Sequence, residues 1–190
     1  MACPKSVYTP EPRTNAPPAQ STDYISAQPQ TINALTALKS STPPSLLDLP
    51  ASYSPSLRAL DMTSTSLSST LHRGQKLWNR VYGKIASRVS YQLDSCGTED
   101  LGHAARLEYG FILSGGNGIL SEKETSFTVL ASLIPQDVNP QLKGHLRGAV
   151  NLGASVEEVE AVRGVVVGLC EKMGMRRGEV GGWREDVAKL

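Results

Sequence analysis

Leu142-Lys-Gly-His145-Leu-Arg147-Gly-Ala-Val-Asn-Leu-Gly153-Ala-Ser155-Val-Glu-Glu158-Val159 is the stretch whose pattern decides the fold. Just ahead of it, Asn139-Pro140 offers a helix N-cap followed by a proline at the first helical position, where a missing N–H costs nothing. The predicted helix runs to Leu152 and stops at Gly153, a residue that tolerates the left-handed conformation of a helix end. Ser155-x-x-Glu158 then forms a capping box for a second helix, which carries Val159, Val162, Val166 and Leu169 to a stop near Gly174.

Upstream the same period continues. Ser121-x-x-Glu124 is another capping box, placed before the stripe Phe127, Leu130, Leu133 and Ile134. Ser114-Gly115-Gly116-Asn117-Gly118 reads as a loop. Thr98 is expected to cap a helix with Glu99 and Asp100 in its first turn, running through Leu101, Ala104, Ala105, Leu107 and Leu113. Leu77, Val81, Ile85, Val89 and Leu93 recur every four residues and predict one amphipathic helix over 73–94, its stripe widened by Trp78 and Tyr82. Strand alternation is hard to find, so the expected fold class is an all-α bundle.

Proline and glycine divide the chain. Ten of twelve prolines precede position 56, and all seventeen glycines follow position 73. Residues 1–28 are expected to be disordered or extended, since Pro- and Ser/Thr-rich sequence buries too little to offset ordering entropy. Residues 29–70 are expected to be an arm of short helices packed on the body: one behind Thr31 with Ile32, Ala34, Leu35 and Leu38, another opened by Ser54-Pro55 with Leu57, Leu60 and Met62. The body spans 71–175, and 176–190 is a tail.

Composition narrows the function. With 190 residues, 39% apolar content and a net charge of +1, the chain has one domain's worth of core and no field to attract nucleic acid. No run reaches the roughly 20 apolar residues that span a bilayer. The amino terminus lacks the apolar core of a secretory signal. Cys3, Cys96 and Cys170 are too few and too scattered for a disulfide framework or a C-x-x-C site. His72, His103 and His145 have no metal-ligand spacing, and no serine sits in a G-x-S-x-G turn. No metal site is expected from this spacing.

His145 is the residue with chemistry to offer. It lies three residues after Leu142 and four before Ala149, on the apolar face of its helix. A histidine there is either a core residue whose ring nitrogens find partners, or a proton carrier facing a cavity.

The run His145-Leu-Arg147-Gly-Ala-Val-Asn-Leu-Gly153-Ala-Ser155-Val-Glu-Glu158-Val159 resembles the signature of the carboxymuconolactone decarboxylase family, within the alkylhydroperoxidase D-like superfamily. The likeness extends loosely upstream through Arg73-Gly74, Leu77, Val81-Tyr82-Gly83, Tyr109-Gly110 and Gly118-Ile-Leu120-Ser121, over residues 73–174. It implies an alkylhydroperoxidase D-like helical bundle assembled as trimers or hexamers, with the active site beside the histidine helix. It also implies either decarboxylation of small lactone acids or peroxide reduction by a cysteine pair, neither needing a metal or cofactor.

Position by position, this chain departs from that pattern. The superfamily's acidic residue, nineteen before the histidine, is Ser126 here, and the peroxidatic cysteines are Val138 and Gln141. Cysteine peroxidase chemistry therefore has no nucleophile. Thr125 stands where decarboxylase members often carry an Arg, Gln141 where they carry a Glu, and Ala161 replaces a further Glu. The resemblance assigns catalysis to His145 and Ser126, and substrate positioning to Gln141, Arg147 and Tyr109. Glu124 is a spare acid, though its capping-box role accounts for it. For Arg147 the alternative is solvent or a neighbouring subunit, and for Tyr109 a core or interface position.

The last residues, Ala188-Lys189-Leu190, match the small–basic–Leu pattern of a carboxy-terminal peroxisomal address. The expected partners are other copies of the chain, the peroxisomal import receptor and a small-molecule ligand, with no nucleic acid and no membrane insertion. The reading at this stage is a peroxisomal matrix protein that performs acid–base chemistry on a small organic acid or lactone. Its rival is a non-catalytic binding or scaffold oligomer of the same fold, and a peroxidase ranks below both.

Overall fold

A computed structural model describes residues 19–47, 58–114, 119–136, 138–139 and 141–175, with the backbone alone at 19–28, 30 and 60. The start of the chain before Ala19, the Ser54-Pro55 opening, the Gly115–Gly118 loop and the Ala188-Lys189-Leu190 address lie outside the described residues. The chain divides into two compact units at Ser54 and Pro55.

In the first unit, α1 spans Ala19–Ser41. It therefore begins before the expected Thr31 cap and takes in part of the stretch read as disordered, with Pro29 inside it. At its carboxyl end the hydroxyls of Ser40, Ser41 and Thr42 donate to the carbonyls of Thr36, Ala37 and Leu38 at 2.7–2.8 Å. Each is a back-bond to the carbonyl four residues earlier, and only the Leu38 carbonyl is among the last four of the helix. A single 3-10 turn, Pro44–Leu46, follows.

Among its described residues the second unit has helices joined by turns and no strand. It contains α2 (Ala59–Thr63), α3 (Leu67–Tyr82), α4 (Ala86–Ser95), α5 (Asp100–Leu107), α6 (Glu122–Leu133), α7 (Gln141–Asn151) and α8 (Val156–Lys172). Met62, expected on a buried face, is exposed. Ser66 caps α3 by accepting the Ser69 N–H at 3.1 Å. The helix expected over 73–94 is broken in two: Gly83 takes a φ of +52°, and a 3-10 turn over Gly83–Ile85 re-aims the chain into α4. Of the expected stripe Leu77 and Val81 are buried and Val89 and Leu93 half-buried, while Ile85, inside the break, is exposed, because the chain turns there and the four-residue period no longer tracks one face.

The second expected helix also changes character. Thr98 accepts the Asp100 N–H at 3.4 Å, but α5 starts at Asp100 and gives way after Leu107 to a π-helical turn over Glu108–Leu113. Both capping boxes form as expected, Ser121 with Glu124 and Ser155 with Glu158. The cap expected from Asn139 does not form. Its side-chain oxygen is buried without a hydrogen-bond partner among the described residues.

Two cores result. Leu130, Ile134, Leu142, Leu146, Ala149, Ala154 and Val159 form an aliphatic one between α6, α7 and α8. Leu77, Trp78, Val81, Ala86, Tyr109 and Leu152 form a more aromatic one around α3. Helix α7 joins them by lying against α3 on one side and α6 and α8 on the other. Its approach to α3 depends on Gly148, where an added Cβ would come within 2.7 Å of Val81 Cγ1. The Asn151 amide then donates to the carbonyl of Val81 at 2.8 Å, serving the end of α3. Gly148 and Asn151 of the signature run are thus helix-docking residues.

Candidate functional site

The docking of α7 on α3 sets His145 beside Tyr82, the last residue of α3. Nε2 of His145 lies 3.3 Å from the Tyr82 hydroxyl, which in turn accepts from the Tyr109 hydroxyl at 3.3 Å. A phenol has one hydrogen to give. Since Tyr82 accepts from Tyr109, its own hydrogen is available to Nε2, and the contact is a Tyr82-to-Nε2 hydrogen bond when the imidazole carries its proton on Nδ1. Trp78 backs the chain of hydroxyls. Its ring centroid is 4.4 Å from that of Tyr82 and 4.7 Å from that of Tyr109, in tilted and edge-on arrangements. Its indole N–H donates to the Ala86 carbonyl at 3.1 Å, which holds it still.

Burial sets the protonation states. It pushes the His145 pKa down to about 4, and raises those of Tyr82 and Tyr109 above the usual phenol value. At neutral pH all three groups are uncharged. His145 therefore has no proton of imidazolium character to give, and the burial that keeps it uncharged also makes it a weaker base than a free imidazole.

Tyr109 owes its place to the π-helical turn. That turn shifts the hydrogen-bond register, and two arginines collect the carbonyls involved. Arg73 donates to the Gly110 carbonyl at 2.8 Å and to Ser114 Oγ at 3.1 Å, and grips Asp61 with both terminal nitrogens at 3.2 and 2.6 Å. Arg58 Nη2 donates to the Ile112 carbonyl at 3.1 Å. The Arg73 guanidinium holds the Asp61 carboxyl below its usual range. The turn also sits unusually close to α3: a Cβ on Gly74 would meet the Gly110 nitrogen at 2.5 Å, and one on Gly110 the Thr70 carbonyl oxygen at 2.8 Å.

Of the five residues singled out in the sequence, the structure brings together His145 and Tyr109, through Tyr82. Ser126 turns its hydroxyl back to the Lys123 carbonyl at 2.6 Å, on its own helix. Gln141 and Arg147 are exposed on α7. Glu124 is held in its capping box, where the Ser121 hydroxyl and backbone N–H keep its carboxyl below the usual value. Glu158, the last polar residue of the signature run, takes a 2.8 Å ion pair from Lys123. Tyr82 is the member that sequence reasoning missed. In the sequence it figures as part of an apolar stripe and of the loose upstream likeness, and nothing in the spacing announces a contact across 63 positions.

Two hollows flank this region. One, of about 60 Å³, lies between α3, α4 and α5 and has Trp78 and Tyr109 in its wall. The other is an open groove of about 520 Å³ bordered by Arg80, Glu122, Lys123 and Gly153. His145 lines neither. Among the described residues no group of three or more His, Cys, Asp or Glu is placed to hold a metal ion, and no helix is long and apolar enough to cross a membrane.

Comparison with known proteins adds a location. The chain is 35% identical over 184 residues to Peroxisomal protein 2 of Saccharomyces cerevisiae, covering 89% of this chain and 62% of that protein. It is 36% identical over 148 residues to Peroxisomal protein 2 of Schizosaccharomyces pombe, covering 78% of this chain and 64% of the relative. It thus spans slightly less than two thirds of the length of these relatives. No family model and no solved structure matches it. The two relatives place the chain in the peroxisome.

Proposed function

We propose that this peroxisomal chain is an enzyme of the carboxymuconolactone decarboxylase type, performing acid–base chemistry on a small organic acid or lactone with His145 as the base. The single observation behind the reading is the Tyr109–Tyr82–His145 chain of hydroxyls ending on an uncharged imidazole. A substrate proton passes to the Tyr82 oxygen as the Tyr82 hydrogen passes to Nε2, and the return of both protons completes the cycle. The uncharged phenol suits a developing enolate, because it donates a hydrogen bond without first having to lose a counter-charge. Tyr82 thereby takes the place that the resemblance gives to Ser126, which faces its own helix.

The test offers the purified protein a panel of lactones and 3-keto acids, following carbon dioxide release and ring opening. Tyr82→Phe and His145→Ala are each expected to lower turnover by about 100-fold or more, and the double variant no further, as for groups acting in one relay. Turnover that persists in His145→Ala refutes the reading.

The second reading is a non-catalytic binding or scaffold oligomer. It is favoured by one specific observation: Ser126, Gln141 and Arg147 do not converge on the imidazole, and neither hollow reaches it. A panel without any turnover selects it. In both readings the chain assembles as a trimer or hexamer, and a monomer by mass measurement at micromolar concentration overturns that part.

A further inference from the structure

The hollow between α3, α4 and α5 combines apolar and polar lining. Its floor is the buried Trp78 and Tyr109, with Leu93 and Ala105 beside them. Its polar lining is Gln75, Ser90 and Arg106, of which Gln75 is exposed and already bonded to Asn79 at 2.9 Å. Apolar walls with a few convergent polar groups at the rim are the usual make-up of a small-molecule site.

Arg106 is the group with capacity to spare. It is fixed by Asp94, whose Oδ2 accepts from Nη2 at 2.5 Å, and its Nη1 lies 3.4 Å from Nδ1 of His103. A guanidinium has five N–H donors in a rigid fork. Among the described residues two of them are engaged, leaving Nε–H and one N–H on each terminal nitrogen. Asp94 therefore acts as an anchor that orients the fork without exhausting it.

Size then selects the ligand. A cavity of about 150 Å³ lined by aliphatic and aromatic groups holds the six carbons of benzene, or roughly 25 Å³ per carbon. On that scale the 60 Å³ here takes about two to three carbons. We infer that this hollow is a binding site for a short aliphatic carboxylate, its two- or three-carbon tail on Trp78 and Ala105 and its carboxylate on Arg106. No step at His145 enters the argument, so the site stands or falls independently of the acid–base reading.

The experiment titrates the full chain with sodium propionate, propionamide and sodium hexanoate at constant ionic strength. The readout is the indole N–H resonance that survives Trp183→Phe, which belongs to Trp78. Propionate is expected to shift it saturably, with propionamide and hexanoate at least about 5-fold weaker, one lacking the charge and the other too long. Ala105→Leu, which fills the hollow, is expected to abolish the shift. Arg106→Gln is expected to make acid and amide equal. Propionamide matching propionate in the wild type overturns the inference, as does binding that survives Ala105→Leu or the absence of any shift with propionate. Circular dichroism separates loss of binding from loss of fold in each variant.

Discussion

The two cores of the body differ in kind. Around α7 and α8, Leu130, Ile134, Leu142, Leu146 and Val159 are sealed completely, and every one is aliphatic. Around α3, Leu77, Trp78, Val81 and Tyr109 are 3–7% exposed, two of the four are aromatic with polar tips, and a hollow opens beside them. The first region carries the recognisable signature run, the second only scattered matches to the same pattern. Yet Tyr82, Tyr109 and the arginine network lie in the second. The run around His145 thus serves chiefly to dock helices, while the hydrogen-bond partner of its imidazole comes from elsewhere in the chain.

Mutations should separate the two regions, and the largest effect belongs to the sealed one. Leu146→Ala is expected to cost about 2–5 kcal/mol, since it leaves a cavity that aliphatic neighbours cannot close. Denaturant unfolding measures this, while the His145 resonance, followed by NMR, should keep its titration midpoint. A comparable cost with a large change at His145 would show the two cores to be one cooperative unit. In the aromatic region Gly74→Ala is expected to cost about 1–3 kcal/mol, because backbone and not a movable side chain stands in the way. Gly148→Ala meets only Val81 Cγ1 at the closest distance and should cost less. Equal thermal shifts for the two glycine variants would contradict the distinction.

The pH dependence sharpens the comparison further. In the unfolded chain His145 titrates near 6.5, in the folded one near 4. Between these values the unfolded state binds a proton that the folded state does not, so stability falls as pH falls. The loss is up to about 3 kcal/mol by pH 4 and should flatten in His145→Gln. Asp61, Glu124 and Glu158, held below their usual values by Arg73, Ser121 and Lys123, lose their contribution at still lower pH, so the windows are distinguishable. A His145 midpoint near 6.5 by NMR would mean a solvated ring and would remove the uncharged relay. The smallest effect belongs to the interface of local and tertiary structure: Ser155→Ala, which removes one capping-box hydroxyl, should cost about 1 kcal/mol and leave His145 untouched.

Local chemistry was legible from the residues themselves. Ser121 and Ser155 cap as their spacing to Glu124 and Glu158 demands, and Gly153 ends its helix with a φ of +93°. These features depend on residues within three or four positions of one another, so the linear order contains them. The expectation failed after Leu107, where the stretch widens into a π turn whose carbonyls are collected by Arg73 and Arg58 from far along the chain, and at Asn139, whose side-chain oxygen is buried without a partner among the described residues.

The sequence by itself therefore determined an all-helical body, the helix ends at Ser121, Gly153 and Ser155, and the placement of His145 on an apolar face. Only the tertiary structure decided what that placement means. Gly148 lets α7 approach α3, and the close passage of Gly74 and Gly110 sets the π turn against α3, so that Tyr82 and Tyr109 reach the imidazole in series. Hydrogen-bond partners and pKa values depend on distances of a few ångströms between residues tens of positions apart, and such distances are properties of packed helices that no periodicity encodes.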